Sequence, residues 1–362
     1  VNITSYNVTD VGYHYIGLRV MAAMPNTTRE EQVVAVSRNV LKYARDKALR
    51  LMLPEPRGSF ESVGEKVCQE LQHFDFAVAT TKKGYQLTEA GKSVLALLNE
   101  KRHAELRRTM VVVHLATYDN LRGIVQRHIE LDGIWSPVVE SASAGDVEYV
   151  GRLLEPTFKN RSHDVAAEVV DALETKTARK LEDALRERIL EATLPDLTVS
   201  VPLFRSMCDR LVSLRLLNIM KTSAGGGEFA KSYSPCLRGS AAKGWHRRLD
   251  VELEGGQVYA IALSEPDMES AEMQATLLGA LDEAFGALEA QAGYFDLPDV
   301  RDLVCERLRI PEGAFDEGIN RLLDQEPSPI TVGLTYERIS GRRKPLVRVR
   351  ESTQVFNLLR RA

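Results

Sequence analysis

From Thr28 onward the apolar residues Val33, Val36, Val40, Leu41, Ala44, Ala48 and Leu51 recur three and four positions apart, which places them on one face of a helix. Thr28 offers an N-cap before this run and Pro54 stops it. A second helix is expected over residues 59–72, after the turn-forming stretch PEPRGS. The following FAVATTKKGYQLT holds two short β-prone pieces around Lys82, Lys83 and Gly84, and Thr88 then caps a helix through EAGKSVLALLNEKR. The opening twenty residues are rich in β-branched and aromatic side chains and read as a strand pair or an extended arm.

The pattern then repeats. KVCQELQHFDFA, residues 66–77, is echoed 140 positions later by SMCDRLVSLRLL, residues 206–217. Cys68 falls on Cys208, Leu71 on Leu211, Phe74 on Leu214 and Phe76 on Leu216. Pro202 opens the second helix, Leu216–Thr222 reads as a strand, Gly225–Gly227 as a hairpin tip and Phe229–Ser234 as the return. Tyr233 then matches Tyr85 after an insertion of eight residues, which a hairpin tip absorbs cheaply because closure entropy grows slowly with loop length. A fainter third copy closes the chain: the helix LPDVRDLVCERLRI, a helix from Pro311, a strand Ile330–Thr335, a wing YERISGRRK and a return over Pro345–Arg350. Ile319 and Leu322 take the places of Cys208 and Leu211.

Between the copies, Leu106, Met110, Val113, Leu121, Ile124, Val125 and Ile129 mark an amphipathic helical stretch broken by Pro137 and Pro156. Residues 162–193 read as one long helix, Leu249–Ala262 as a hairpin turning at Gly255 and Gly256, and Met268–Ala292 as an acidic helix.

The order helix, helix, strand, Gly-containing turn, strand, helix over residues 28–100 resembles the winged helix-turn-helix. The phrase Tyr85-Gln86-Leu87-Thr88-Glu89-Ala90-Gly91 is similar to the wing exit of many such proteins, MarR-like and ArsR-like regulators among them. The resemblance is one of architecture, and it implies a mainly α fold with small β-hairpins (α+β), with three winged-helix modules joined by long helices. The expected division is an N-terminal arm at 1–27, a first winged helix at 28–100 and a helical connector at 101–162. A second winged helix follows at 163–248, a β-hairpin and acidic helix at 249–294, and a third winged helix with a basic wing at 295–362.

Composition narrows the class. With 362 residues, 44% of them hydrophobic and 27% charged, the chain is globular and long enough for several cores. Its best apolar run, Met110–Ala116, is far shorter than the ~20 residues of a membrane span. No basic region precedes an apolar stretch at the start, and Cys68, Cys208, Cys236 and Cys305 form no C-x-x-C pair, so buried thiols in a reducing cytoplasm are expected. The net charge of −4 is unevenly spread. Leu249–Val300 holds twelve Asp or Glu and no Lys or Arg, whereas Thr335–Ala362 holds eight Lys or Arg against Glu337 and Glu351.

No catalytic constellation is visible. Glu89–Ser93 ends like a phosphate-binding loop, but Gln86 stands where the first Gly is required. There is no G-x-S-x-G and no H-E-x-x-H, and His114 and His128 on one helix would be about 21 Å apart. A non-enzymatic chain with no metal and no cofactor is therefore expected.

Charge points to nucleic acid through the hairpins. The second helix of copy one carries Glu61, Glu65 and Glu70 against Lys66, and that of copy three carries Glu312, Asp316, Glu317 and Asp324 against Arg321, balances that repel a DNA groove. Copy two, with Arg205, Arg210 and Arg215 against Asp209, is permissive. The wings carry Lys82 and Lys83, Lys221 and Lys231, and Arg342, Arg343, Lys344, Arg348 and Arg350. The last five fall within nine residues, a strip able to meet phosphates or an acidic partner. The resulting expectation is a DNA-associated subunit of a larger DNA-handling complex, as in bacterial anti-phage defence or chromosome organisation. It would bind DNA backbone through its wings, and other protein subunits or itself through acidic helices. The alternative is a dimeric, sequence-specific winged-helix transcription regulator.

Overall fold

The computed structural model describes residues 3, 8–50, 61–80, 83–131, 145–171, 187, 190–191, 200–223, 229–234, 237–238, 246–253, 257–266, 270–290, 292–308, 310, 312–333, 347–348, 355–356 and 358–362. The fold is mostly helical with small antiparallel strand pairs, as the sequence pattern predicts. It divides into two compact units, residues 1–126 with 196–214 and 250–259, and residues 127–195 with 215–249 and 260–362. The helix of the second copy thus clusters with the first unit, and the hairpin that follows it clusters with the second.

The first unit begins with a helix where an arm was expected. Helix α1 (Gly12–Ala23) buries Tyr13, His14, Gly17, Leu18, Val20 and Met21. These positions recur at helical spacing, and packing against neighbouring helices overrides the β-propensity of the residue types. Before it, the Asn120 side chain accepts from Ile3 N at 3.0 Å and donates to Ile3 O at 2.9 Å. Helix α2 (Arg29–Arg50) starts from a reciprocal cap in which Thr28 N donates to the Glu31 carboxylate and Glu31 N to Thr28 Oγ1. Helix α3 (Glu61–His73) lies so close to α2 that a Cβ on Gly64 would fall 2.3 Å from Val33 O.

Two short strands, β1 (Ala77–Thr80) and β2 (Gly84–Leu87), pair antiparallel, with Ala77 opposite Leu87 and Thr80 opposite Gly84. Thr88 then caps α4 (Glu89–Asn99) by accepting from Gly91 N, as expected. Helices α5 (His103–Thr117) and α6 (Asp119–Leu131) follow.

Beyond them, α7 (Val147–Phe158) and α8 (Ser162–Asp171) close a small core of Val150, Leu154, Val165, Ala166 and Val169. Most of the long helix expected after residue 171 lies outside the described residues. Helix α9 (Val201–Ser213), opened by Pro202, leads to strands β3 (Asn218–Ser223) and β4 (Phe229–Ser234). Strands β5 (Leu237–Arg238), β6 (His246–Leu253) and β7 (Gln257–Pro266) form a sheet in the order β5-β7-β6.

The last part of the second unit is built on one core. Helices α10 (Ala271–Ala287), α11 (Leu297–Leu308) and α12 (Glu312–Leu323) bury Leu277, Leu281, Val300, Val304, Phe315, Ile319 and Leu322 together. Strand β8 (Phe295–Asp296) precedes α11, β9 (Ile330–Gly333) follows α12, and both pair with β12 (Leu358–Arg361) in the order β8-β12-β9. The return strand is therefore Leu358–Arg361, and the expected Pro345–Arg350 is not its place. A central strand must bury a side chain in the core, which Leu359 does at 0% exposure. The basic segment contributes β10 (Val347–Arg348), paired instead with β11 (Val355–Phe356).

Candidate nucleic-acid interface

The two complete helix–hairpin copies share one backbone plan. Helices α3 and α9 span 61–73 and 201–213, and each is followed by a residue in the left-handed region, Asp75 at φ 58° and Arg215 at φ 63°. At the first of these ends Asp75 N donates to Gln72 O and Phe76 N to Leu71 O, which closes the helix and turns Phe76 back onto Leu71. Cys68, Leu71, Phe74 and Phe76 are buried, and so are Cys208, Leu211, Leu214 and Leu216. The repetition read from the sequence is thus one of helix end, left-handed exit and apolar contacts.

Register carries the likeness into the hairpins. Tyr85 stands opposite Ala79, and Tyr233 opposite Ile219. Thr80 stands opposite Gly84, and Met220 opposite Ser232. At this level the first hairpin turns, with Gly84 at φ 64° and Lys83 N donating to Thr80 Oγ1. The second continues, and its next pair is Lys221 directly opposite Lys231. All eight inserted residues therefore fall beyond the last shared pair, and the lysines of both hairpins lie on the tip side of it.

The expected cations are distributed as follows. Lys83 is exposed at the first hairpin turn, Lys221 and Lys231 form the cross-strand pair of the second, and Arg348 stands opposite Val355 in the β10–β11 pair. Arg205 lies in α9. Lys82, Arg342, Arg343, Lys344 and Arg350 lie outside the described residues. Arg210 is a correction: it is 1% exposed and cannot meet a phosphate from that position. Counting charges on α9 could not show which face of the helix is turned inward.

Arg210 instead ties together the interior of the first unit. Its Nη1 donates to Glu70 Oε2 at 2.9 Å and its Nη2 to Glu70 Oε1 at 3.0 Å, while Nε donates to Val8 O at 2.9 Å. His14 Nε2 donates to the same carboxylate at 2.7 Å. Burial alone would raise the Glu70 carboxyl, but the Arg210 charge and the His14 hydrogen bond hold it down at about 2. A second knot lies nearby, where Asp10 receives the Ser213 hydroxyl and the Lys47 ammonium while Val11 N donates to Ser213 Oγ.

The two helices that would enter a groove in winged-helix docking expose few of their described side chains. On α3 the exposed described side chains are Ser62, Glu65 and His73, and on α9 only Pro202 is exposed among those described. The sequence reading missed Glu70 as a partner. One signal was available, for Glu70 and Arg210 are separated by the same 140 positions as the echoed cysteines, with opposite charge at equivalent places.

Among the described residues no helix is long and apolar enough to cross a membrane, and no three His, Cys, Asp or Glu side chains gather as a metal site. Cys68, Cys208 and Cys305 are buried, as expected, and Cys236 lies outside the described residues. Comparison with protein-family models, with curated proteins and with solved structures gives no match.

Proposed function

We propose that the chain is a non-enzymatic tandem winged-helix subunit of a DNA-handling assembly, which meets duplex backbone through hairpin lysines with little sequence preference. The observation that carries this reading is Lys221 opposite Lys231, at the first level beyond the register shared with the shorter hairpin. Like charges directly across a strand pair are destabilising, and an anion between them removes the cost. Lys83, at the same level of the first hairpin, supports the same use. The strand order β8-β12-β9 around α11 and α12 supports a third module of this kind, and the burial of α3 and α9 disfavours base reading by those helices. Non-specific affinity then comes from phosphates alone, through counterion release.

The test is a salt titration of binding to random duplex DNA, followed by fluorescence anisotropy. The unaltered chain should bind with the same affinity across unrelated sequences. The double change Lys221→Ala with Lys231→Ala should flatten the log–log salt slope by about 1.8, roughly 0.9 for each phosphate that is no longer neutralised. A slope and affinity left unchanged by that double change would remove the hairpin from the interface.

A further inference from the structure

The interior of the first unit holds an arrangement that DNA binding does not use. His114 on α5 and His14 on α1 are both fully buried, their rings 5.2 Å apart and at 85° to each other. His114 also lies against Phe74, with ring centroids 4.6 Å apart, and against Tyr118. Its Nδ1 sits 2.7 Å from Met110 O and must carry the proton, because a carbonyl only accepts. That leaves Nε2 bare, and it is buried without a hydrogen-bond partner, as is His14 Nδ1.

A proton on Nε2 would therefore create a charge with no protein acceptor, in a fully buried site already holding the Arg210 guanidinium. The titratable and charged groups that face His114 are His14 from α1, Glu70 from α3, Arg210 from α9 and the nearby Tyr118 phenol. Helix α4, also packed on α5, buries only Gly91 and Val94. Glu70 is the sole anion among these groups, and Arg210 with His14 already occupies it. This cluster and the Ser213–Asp10–Val11 knot both join α9 to α1, α3 or the residues just before α1.

We propose that His114 is the trigger of an acid-released latch, whose protonation frees α9 and residues 8–10 from α3 and α5. In the closed form, burial above all, together with the Arg210 charge, holds His114 well below its ordinary value. The open form regains the ordinary pKa of about 6.5 and so binds more protons. Closure is then fully stable above about pH 6.5 and weakens as pH falls below it, at up to about tenfold in the opening constant per pH unit for one proton.

The chain supplies its own reporters. Cys208 on α9 is fully buried in the first unit, and Cys305 on α11 is buried in the second. The full-length chain is labelled with an aromatic disulfide reagent that reacts at acid pH, each site is quantified by mass spectrometry, and rates are divided by those of the denatured chain. Cys208 labelling should rise about tenfold per unit between pH 6.5 and 5 while Cys305 stays protected. His114→Phe and His114→Gln should flatten that rise. A Cys208 rate that is flat down to pH 5, or a slope unchanged in both variants, overturns the latch. Should neither variant fold, ring-nitrogen NMR of the unaltered chain decides. A neutral His114 for as long as Cys208 is protected supports the proposal, and protonation near pH 6.5 with Cys208 still protected overturns it.

Discussion

Residues 61–87 and 201–234 use the same helix length, the same left-handed exit and the same strand register, and they differ in charge at several positions, two of which bear on function. Within the helices one such difference is Glu70 against Arg210, and the two satisfy each other inside the first unit. Past the shared register the difference is a tight turn against an extension that opens with two facing lysines. Opposite charge has been placed where the helices of the two copies meet in a buried interior, and like charge where the second hairpin runs past the shared register. A repeated pattern thus records a fold, and departures from it record what each copy does.

The largest effect should come from breaking the buried pair. Arg210→Ala leaves the Glu70 carboxylate with His14 as its remaining donor and takes the Arg210 donors from the Val8 carbonyl, and should cost about 3–5 kcal/mol in urea denaturation of the first unit. Exchanging the charges with Glu70→Arg and Arg210→Glu tests whether the two positions are equivalent. The surroundings say that they are not, because the new carboxylate would face Val8 O and the new guanidinium would face His14. Recovery should therefore stay well short of complete, and full recovery would mean that those neighbours contribute nothing. The pair also sets an acid limit. Because the folded Glu70 carboxyl is held at about 2 against an ordinary 4.5, its contribution is complete above about pH 4.5 and is lost as pH falls from there toward 2. Arg210→Ala should erase most of that loss, which denaturation midpoints between pH 5 and 3 would show.

What the sequence made legible follows from the reach of each signal. Helix ends, caps and hairpin register are local, so the spacing of Cys68, Leu71, Phe74 and Phe76, the cap at Thr88 and the eight-residue insertion could all be read from the chain. Helix α1 could not, because Tyr13, His14, Tyr15 and Ile16 favour strands and only burial against α2 and α3 makes them helical. The return strand Leu358–Arg361 was hidden for a related reason: Val347–Arg350 alternates more clearly, yet Leu359 fills the core. Arg210 and Glu70 were each counted as surface charges because composition carries no information about which partner lies across 140 positions.

A smaller effect tests the helix exits. Asp75 and Arg215 hold positive φ, a conformation that disfavours residues with a Cβ and suits Gly. Asp75→Gly and Arg215→Gly should each stabilise by up to about 1 kcal/mol, the relief of strain being partly offset by the freer unfolded chain. Similar shifts in thermal midpoint would support one shared backbone solution. A gain at one position and a loss at the other would show that the side chains, and not the turn, decide those sites.

The smallest effect on stability is the most informative about function. Lys221→Glu replaces a like-charged cross-strand pair with an opposite one and should stabilise the hairpin by roughly 0.2–1 kcal/mol, less at high salt. The same change at Lys83, which lies outside the paired residues of β1 and β2, should leave stability nearly unmoved. If the lysine pair is kept for phosphate, Lys221→Glu must weaken binding to random duplex DNA while it raises the melting temperature, and the two readouts separate what the fold prefers from what a ligand requires. Should Lys221→Glu lower the melting temperature instead, an acidic group of the chain itself already meets the lysines, and the charge on the second hairpin belongs to the fold.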